Sequence, residues 1–181
     1  MSGSASPSLS GSSRRSSLTR GLNTLEGDTV VVQLDSDEKK LAELEAINIR
    51  VKALSVVVIG ASGDLARKKT YPALFRLHLH NLLPRNTIIY GYARSKMEDG
   101  PFKARISSLF PKTADPAEVT HFLDRCYYFS GQYNDPKDFG GLHEALCGTE
   151  AKVSEYGANR VFYMAIPPSI FAAVGRGVQL S

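Results

Sequence analysis

Apolar residues follow two rhythms along this chain. From Val51 onward, short unbroken apolar runs alternate with stretches whose apolar positions recur every three or four residues. Val56, Val57, Val58 and Ile59 are all β-branched, and such a run suits a central parallel strand covered on both faces. Similar runs at 87–92, 126–130 and 160–166 predict three further buried strands. Helices are predicted from the first strand's exit to about Leu82, over 102–109, over 116–123 and over 136–146. Pro72 either kinks the first of these or begins its main segment at the first helical position. Strands separated by helices place the chain in the α/β class, with a doubly wound parallel sheet.

The remaining sequence divides into two further segments. Residues 35–54 carry Leu41, Leu44, Ile47 and Val51 at helical spacing and read as an amphipathic helix or linker, packed on the domain or on a partner. Residues 1–34 open with a Ser/Gly/Arg-rich stretch, which predicts a disordered tail. Its Arg14-Arg15-Ser16-Ser17 is a basophilic kinase pattern, and its composition also resembles a transit peptide without the amphipathic helix. The folded domain is expected over 55–181.

The first strand runs directly into Gly60-Ala61-Ser62-Gly63-Asp64-Leu65-Ala66-Arg67-Lys68-Lys69. Gly60 permits a sharp turn at the strand end, and Gly63 removes a Cβ where a pyrophosphate approaches backbone N–H groups at a helix start. Ala66 stands at the third glycine position, where a small side chain allows close helix-to-strand packing. The result is G-x-x-G-x-x-A, a variant of the dinucleotide fingerprint of Rossmann-like folds. Asp64 either caps the helix or favours its positive end. No Gly-Lys-Ser/Thr follows at Walker spacing, so a P-loop is set aside.

Composition narrows the class. With 43% hydrophobic and 22% charged residues in 181, the chain reads as a globular domain. Its net charge of +4 owes much to Arg14, Arg15 and Arg20, so neither nucleic acid nor a membrane is an expected partner. Cys126 and Cys147 lack zinc-like or C-x-x-C spacing, which predicts neither metal nor disulfide. The second strand ends Gly91-Tyr92-Ala93-Arg94-Ser95. An arginine there suits a ribose 2′-phosphate, with Ser62 and Ser95 hydroxyls nearby, so NADP is the expected cofactor.

Gly60–Lys69, Gly91–Ser95, Ser130-Gly131-Gln132-Tyr133 and Phe162–Pro168 together resemble the glucose-6-phosphate dehydrogenase family, over about Leu54 to Val174. The resemblance implies oxidation of glucose 6-phosphate to 6-phosphogluconolactone with NADP, in the pentose phosphate pathway. It implies coenzyme contacts at Gly60, Ala61, Ser62, Gly63, Asp64, Leu65, Ala66, Arg67 and Arg94, and a sugar-phosphate contact at Lys69. Tyr163 matches a coenzyme contact, with aromatic packing in a buried strand as the equal alternative. Arg67 stands where many relatives have lysine. The family's histidine segment and E-K-P motif are not present, so no catalytic residue is assigned to His78, His80, His121 or His143.

The match fades after Val174, where Gly175 and Gly177 oppose helix continuation. The expectation is a truncated domain, its sheet incomplete on the C-terminal side, that binds NADP without turnover. The alternative is a non-catalytic NADP-binding or subunit-interaction module that binds full-length subunits. A short-chain reductase would require Tyr-x-x-x-Lys, whereas Tyr156 is followed by Arg160. Residues 109–120 carry no cysteine, unlike the redox-regulated plastid relatives, so the cytosol is expected, with a plastid as the alternative.

Overall fold

The computed structural model describes residues 39–41, 43–44, 47 and 51–179. The expected tail, 1–34, lies outside them. Lys39, Lys40 and Leu41, which fall in a separate unit from the domain, are helical and exposed. In the main unit Leu44 and Ile47 are also helical, and both are more than half exposed.

Four parallel strands form the sheet: β1 (Ala53–Ile59), β2 (Thr87–Ala93), β3 (Cys126–Ser130) and β4 (Ala158–Met164), in the order β3-β2-β1-β4. Val57 sits in register with Tyr90 on one side and Phe162 on the other. Among the described residues from Val51 onward, five α-helices accompany them: α1 (Tyr71–Leu79), α2 (Asp99–Ser107), α3 (Pro116–Leu123), α4 (Pro136–Val153) and α5 (Phe171–Gln179). None is long and apolar enough to cross a membrane, among the described residues.

The period-2 geometry of a strand sends alternate β1 residues into two separate cores. Val56 and Val58 pack with Phe75 of α1, Phe102 of α2 and Phe122 of α3. Val57 and Ile59 pack with Phe139 and Leu142 of α4 and Val174 of α5. The sheet is thus covered on both faces, and the direction of winding reverses between β1 and β4.

Several elements differ from the sequence expectation. β4 spans Ala158–Met164 instead of 160–166 and alternates between half-buried and exposed. It is an edge strand, with Val161 and Tyr163 about half exposed. It leaves the ladder at Ala165, whose N–H makes a last 2.8 Å bond to Ile59 O. α4 continues past Leu146 to Val153, held by Tyr90–Thr149 and Ser55–Glu150 hydrogen bonds from the sheet. α2 starts at Asp99 and takes Gly100-Pro101 into its first turn, where a proline lacks no needed donor. Gly175 and Gly177 do not stop α5. At Gly177 any Cβ would enter the Phe139 ring, so the glycine is what lets α5 lie on α4.

Candidate functional site

The switch in winding leaves a crevice at the carboxyl ends of β1 and β4, and the glycine loop fills one side of it. Gly60 has φ +87°, the left-handed region open to glycine. The N–H groups of Gly60 and Ala61 both donate to Tyr92 O, at 2.8 and 3.2 Å, and Gly63 N–H returns to Gly60 O at 2.8 Å. A Cβ on Gly60 would lie 2.5 Å from Ala165 O, and one on Gly63 would lie 3.1 Å from Gly60 O. Gly91 of β2 belongs to the same fit, because its Cβ would meet Ala61 Cβ and Phe102 at 2.9 Å.

Helical structure begins at Asp64 and passes through a π-helical turn, Ala66–Thr70, before α1. Pro72 has no N–H to continue an α ladder, and Tyr71 N–H instead reaches five residues back to Ala66 O. Pro72 accordingly sits in the first turn of α1, one of its two expected roles. Ala66 is fully buried against the core. The Asp64 carboxylate accepts from Lys68 Nζ at 3.0 Å and lies 3.8 Å from Arg67. Its hydrogen bond with Lys68 holds it below the usual carboxylate range. Arg67 is about one-third exposed, yet its Nε is buried with no hydrogen-bond partner. A buried donor left open beside a glycine loop is suited to an anion.

The loops after all four strands close a cleft of about 250 Å³. Gly60, Ser62 and Gly63 come from the β1 loop, Arg94 and Ser95 from the exit of β2, and Tyr133 from that of β3. The fourth wall, after β4, is Ala165, Ile166, Pro167 and Ile170. Arg94 lies over the Tyr133 ring, 5.5 Å from its centroid, a cation–π contact that orders an otherwise free side chain. Burial pushes the Tyr133 hydroxyl up despite the opposing effect of Arg94, so it remains a phenol. Ser62 Oγ and Ser95 Oγ are 3.3 Å apart. The cleft thus combines an apolar wall, glycine backbone and one exposed cation held over an aromatic ring.

Most of the residues singled out from sequence fall into three groups, with Arg67, about one-third exposed, and Tyr163 outside them. Gly60, Ser62, Gly63 and Arg94 line the cleft. Ala61 and Ala66 are buried beneath it. Asp64, Leu65, Lys68 and Lys69 are exposed along the helix start. Tyr163 faces out from β4 opposite Val58, outside the cleft lining, because β4 is not the buried strand expected for it. Tyr133 and Ile170 complete the cleft without having been assigned from the sequence. For Tyr133 the available signal is the Gly131-Gln132-Tyr133 segment directly after β3.

A family model described as "Glucose-6-phosphate dehydrogenase, NAD binding domain" matches residues 57–181. The chain is 50% identical over 129 residues to "Glucose-6-phosphate 1-dehydrogenase" of Dictyostelium discoideum, covering 70% of this chain and 25% of that protein. It is 42% identical over 149 residues to "Glucose-6-phosphate 1-dehydrogenase, chloroplastic" of Spinacia oleracea, covering 80% and 25%. Among solved structures it is similar to "Glucose-6-phosphate dehydrogenase in complex with its substrate glucose-6-phosphate", with a TM-score of 0.64 and 36% identity over 70% of this chain and 27% of that one. The chain therefore spans about a quarter of the length of these relatives.

Proposed function

Since the chain belongs to the glucose-6-phosphate dehydrogenase family through that family's NAD binding domain, we propose that its cleft binds NADP in preference to NAD and serves glucose 6-phosphate oxidation to 6-phosphogluconolactone, in the pentose phosphate pathway. The observation that carries the NADP preference is Arg94, placed at the cleft by the exit of β2 and steadied over Tyr133. A guanidinium pairs with a 2′-phosphate through two N–H groups, which a 2′-hydroxyl cannot match.

The donor set fits such a ligand. The helix that starts at Asp64 leaves its first N–H groups without a helical partner beside Ser62, as a pyrophosphate requires, while the Gly63 N–H itself is bound to Gly60 O. Arg67 offers its buried, unpaired Nε close by in sequence. Asp64 keeps Lys68 and Arg67 directed along the helix. Leu65, Ala61 and Ala66 act through packing in this reading, with Ala66 allowing the helix its close approach. The apolar wall of Ile166, Pro167 and Ile170 excludes water from that side. The bound coenzyme supplies the hydride acceptor. In the same reading Lys69 contacts the sugar phosphate and Tyr163 contacts the coenzyme, the alternative for Tyr163 being aromatic packing within its own strand. The cytosol is the proposed location, with a plastid as the alternative, and a fluorescent fusion distinguishes them.

Calorimetric titration of the chain with NADP and with NAD tests the proposal. The expected result is tighter NADP binding and at least about a tenfold loss of that preference in Arg94→Ala. Equal affinities in the unmodified chain, or an unchanged preference in the variant, would overturn it. A second reading, a subunit-interaction module, draws on the half-exposed Val161 and Tyr163 at the β4 edge, an arrangement suited to a partner strand or subunit.

A further inference from the structure

Where α1 meets α3, three side chains able to ligate metal converge outside the coenzyme cleft. His78 Nε2 lies 3.0 Å from Glu118 Oε2. The His121 ring stands edge-on to His78, with centroids 5.3 Å apart. One ligand atom from each of the three falls within 4.8 Å of the others. Glu118 and His121 are three residues apart on α3, so the helical repeat puts them on one face, and α1 brings His78 to meet them.

We propose that His78, Glu118 and His121 bind a divalent cation of the zinc class, with a fourth coordination position open to the adjoining pocket. Two imidazoles and one carboxylate are a donor set that zinc accepts when it retains an open position. Tetrahedral bonds of roughly 2.0–2.1 Å set ligand atoms about 3.3 Å apart. The His78–Glu118 pair is already close to that spacing. The widest separation, up to 4.8 Å, must close by about 1.5 Å, and the ligand with the least packing to oppose that shift is His121, the exposed member of the three.

The pocket, about 370 Å³, is walled by His78 and His121 with Asn81, Leu83, Arg85 and Arg125. It has room for a water or a small anion as fourth ligand, and the two arginines supply charge complementary to an anion there. Arg125 Nη2 stands 2.9 Å from His121 Nε2. A guanidinium only donates, so His121 presents a lone pair on Nε2. Metal competes with Arg125 for that lone pair, and the arginine must swing toward the pocket as the ion enters. Arg125 is thus a gatekeeper of the site.

The test uses the full chain, with Zn²⁺ titrated against a chromophoric chelator and Co²⁺ followed by its visible absorption. One equivalent is expected to bind, and Co²⁺ to give the intense band of low coordination number. Glu118→Gln and His121→Ala, both at accessible positions on α3, should each weaken binding at least about tenfold. Arg125→Ala should strengthen it in anion-free buffer. His80→Ala and His143→Ala should leave it unchanged. Thermal unfolding of each variant without metal shows that it is folded. Absence of the Co²⁺ band, affinity indifferent to Glu118→Gln and His121→Ala, or loss of binding on His143→Ala would overturn the proposal.

Discussion

Replacing Gly60 by alanine tests how tightly the coenzyme loop is fixed to the sheet. Two costs arise at that one Cβ. Alanine at φ +87° occupies the left-handed region at about 1–2 kcal/mol. The same Cβ would sit 2.5 Å from Ala165 O and 2.7 Å from Ile166 Cγ2. Ala165 is held to Ile59 by the last bond of the β1–β4 ladder, so the backbone cannot yield without loosening the sheet, which adds about 1–3 kcal/mol. The total, about 2–5 kcal/mol, is a large share of the ~5–15 kcal/mol that stabilises a typical domain. Gly63→Ala provides the comparison: its φ is not left-handed and its nearest contact is 3.1 Å, so it should cost less than about 2 kcal/mol. Urea unfolding followed by circular dichroism gives both values. NADP titration below the unfolding transition should show weaker binding in Gly60→Ala, because the displaced β4 exit is also a cleft wall. Should Gly60→Ala cost no more than Gly63→Ala, or under about 1 kcal/mol, the loop is not locked against β4 and the reasoning fails.

Three further predictions concern side chains beyond the cleft. Glu150 is buried and accepts from Ser55 at 2.6 Å and from Arg160 at 2.8 and 2.7 Å; Glu150→Ala should cost about 3–5 kcal/mol in chemical unfolding by stranding those donors. Burial alone would raise the Glu150 carboxyl, but hydrogen bonds from Arg160 and Ser55 outweigh it and leave it lowered. Its stabilising contribution is therefore complete above the ordinary glutamate range and lost as pH falls through the lower native value. Glu150→Gln should flatten that acid limb in a stability–pH series, and an unchanged slope would contradict the assignment. The two thiols should separate cleanly by alkylation and mass mapping. Cys147 is exposed while Cys126 is buried and pushed far up by that burial, so the native chain should label only at Cys147. Labelling of Cys126 at a comparable rate without denaturant would show that the core around α3 opens readily.

The β1 run and the glycine loop were legible because each is a local signal: four β-branched residues, then a turn that only glycine makes without strain. α3 and β3 were legible at their observed bounds for the same reason, with Asp115 capping α3 by accepting from Ala117 N–H. The misses share one cause, that distant contacts overrode a local rule. Gly177 opposes a helix by propensity, but α5 passes through it because Phe139 needs the space. β4 has the composition of a buried strand, yet it lies at the open edge of a sheet expected to be incomplete on its C-terminal side, and its exposure follows from that position. Ile170 belongs to the cleft through tertiary placement alone, whereas Tyr133 lies in a motif visible in the sequence but gains its role only when β3 is set beside β2. His78 and the Glu118–His121 pair lie on separate helices, so no spacing rule joins them.

The position of β1 has a mechanical consequence. It is paired on both sides and packed on both faces, whereas β4 is paired on one side and half open to solvent. Local openings begin where pairing and burial are least. The cleft therefore has one stiff jaw, the Gly60 loop carried by β1, and one compliant jaw, the Ala165–Ile170 segment carried by β4. A ligand spanning both acts as a clasp on the fraying edge. Its binding energy is shared between holding the ligand and holding the edge closed, so slowed amide exchange along β4 should report occupancy of the cleft as faithfully as any contact within it.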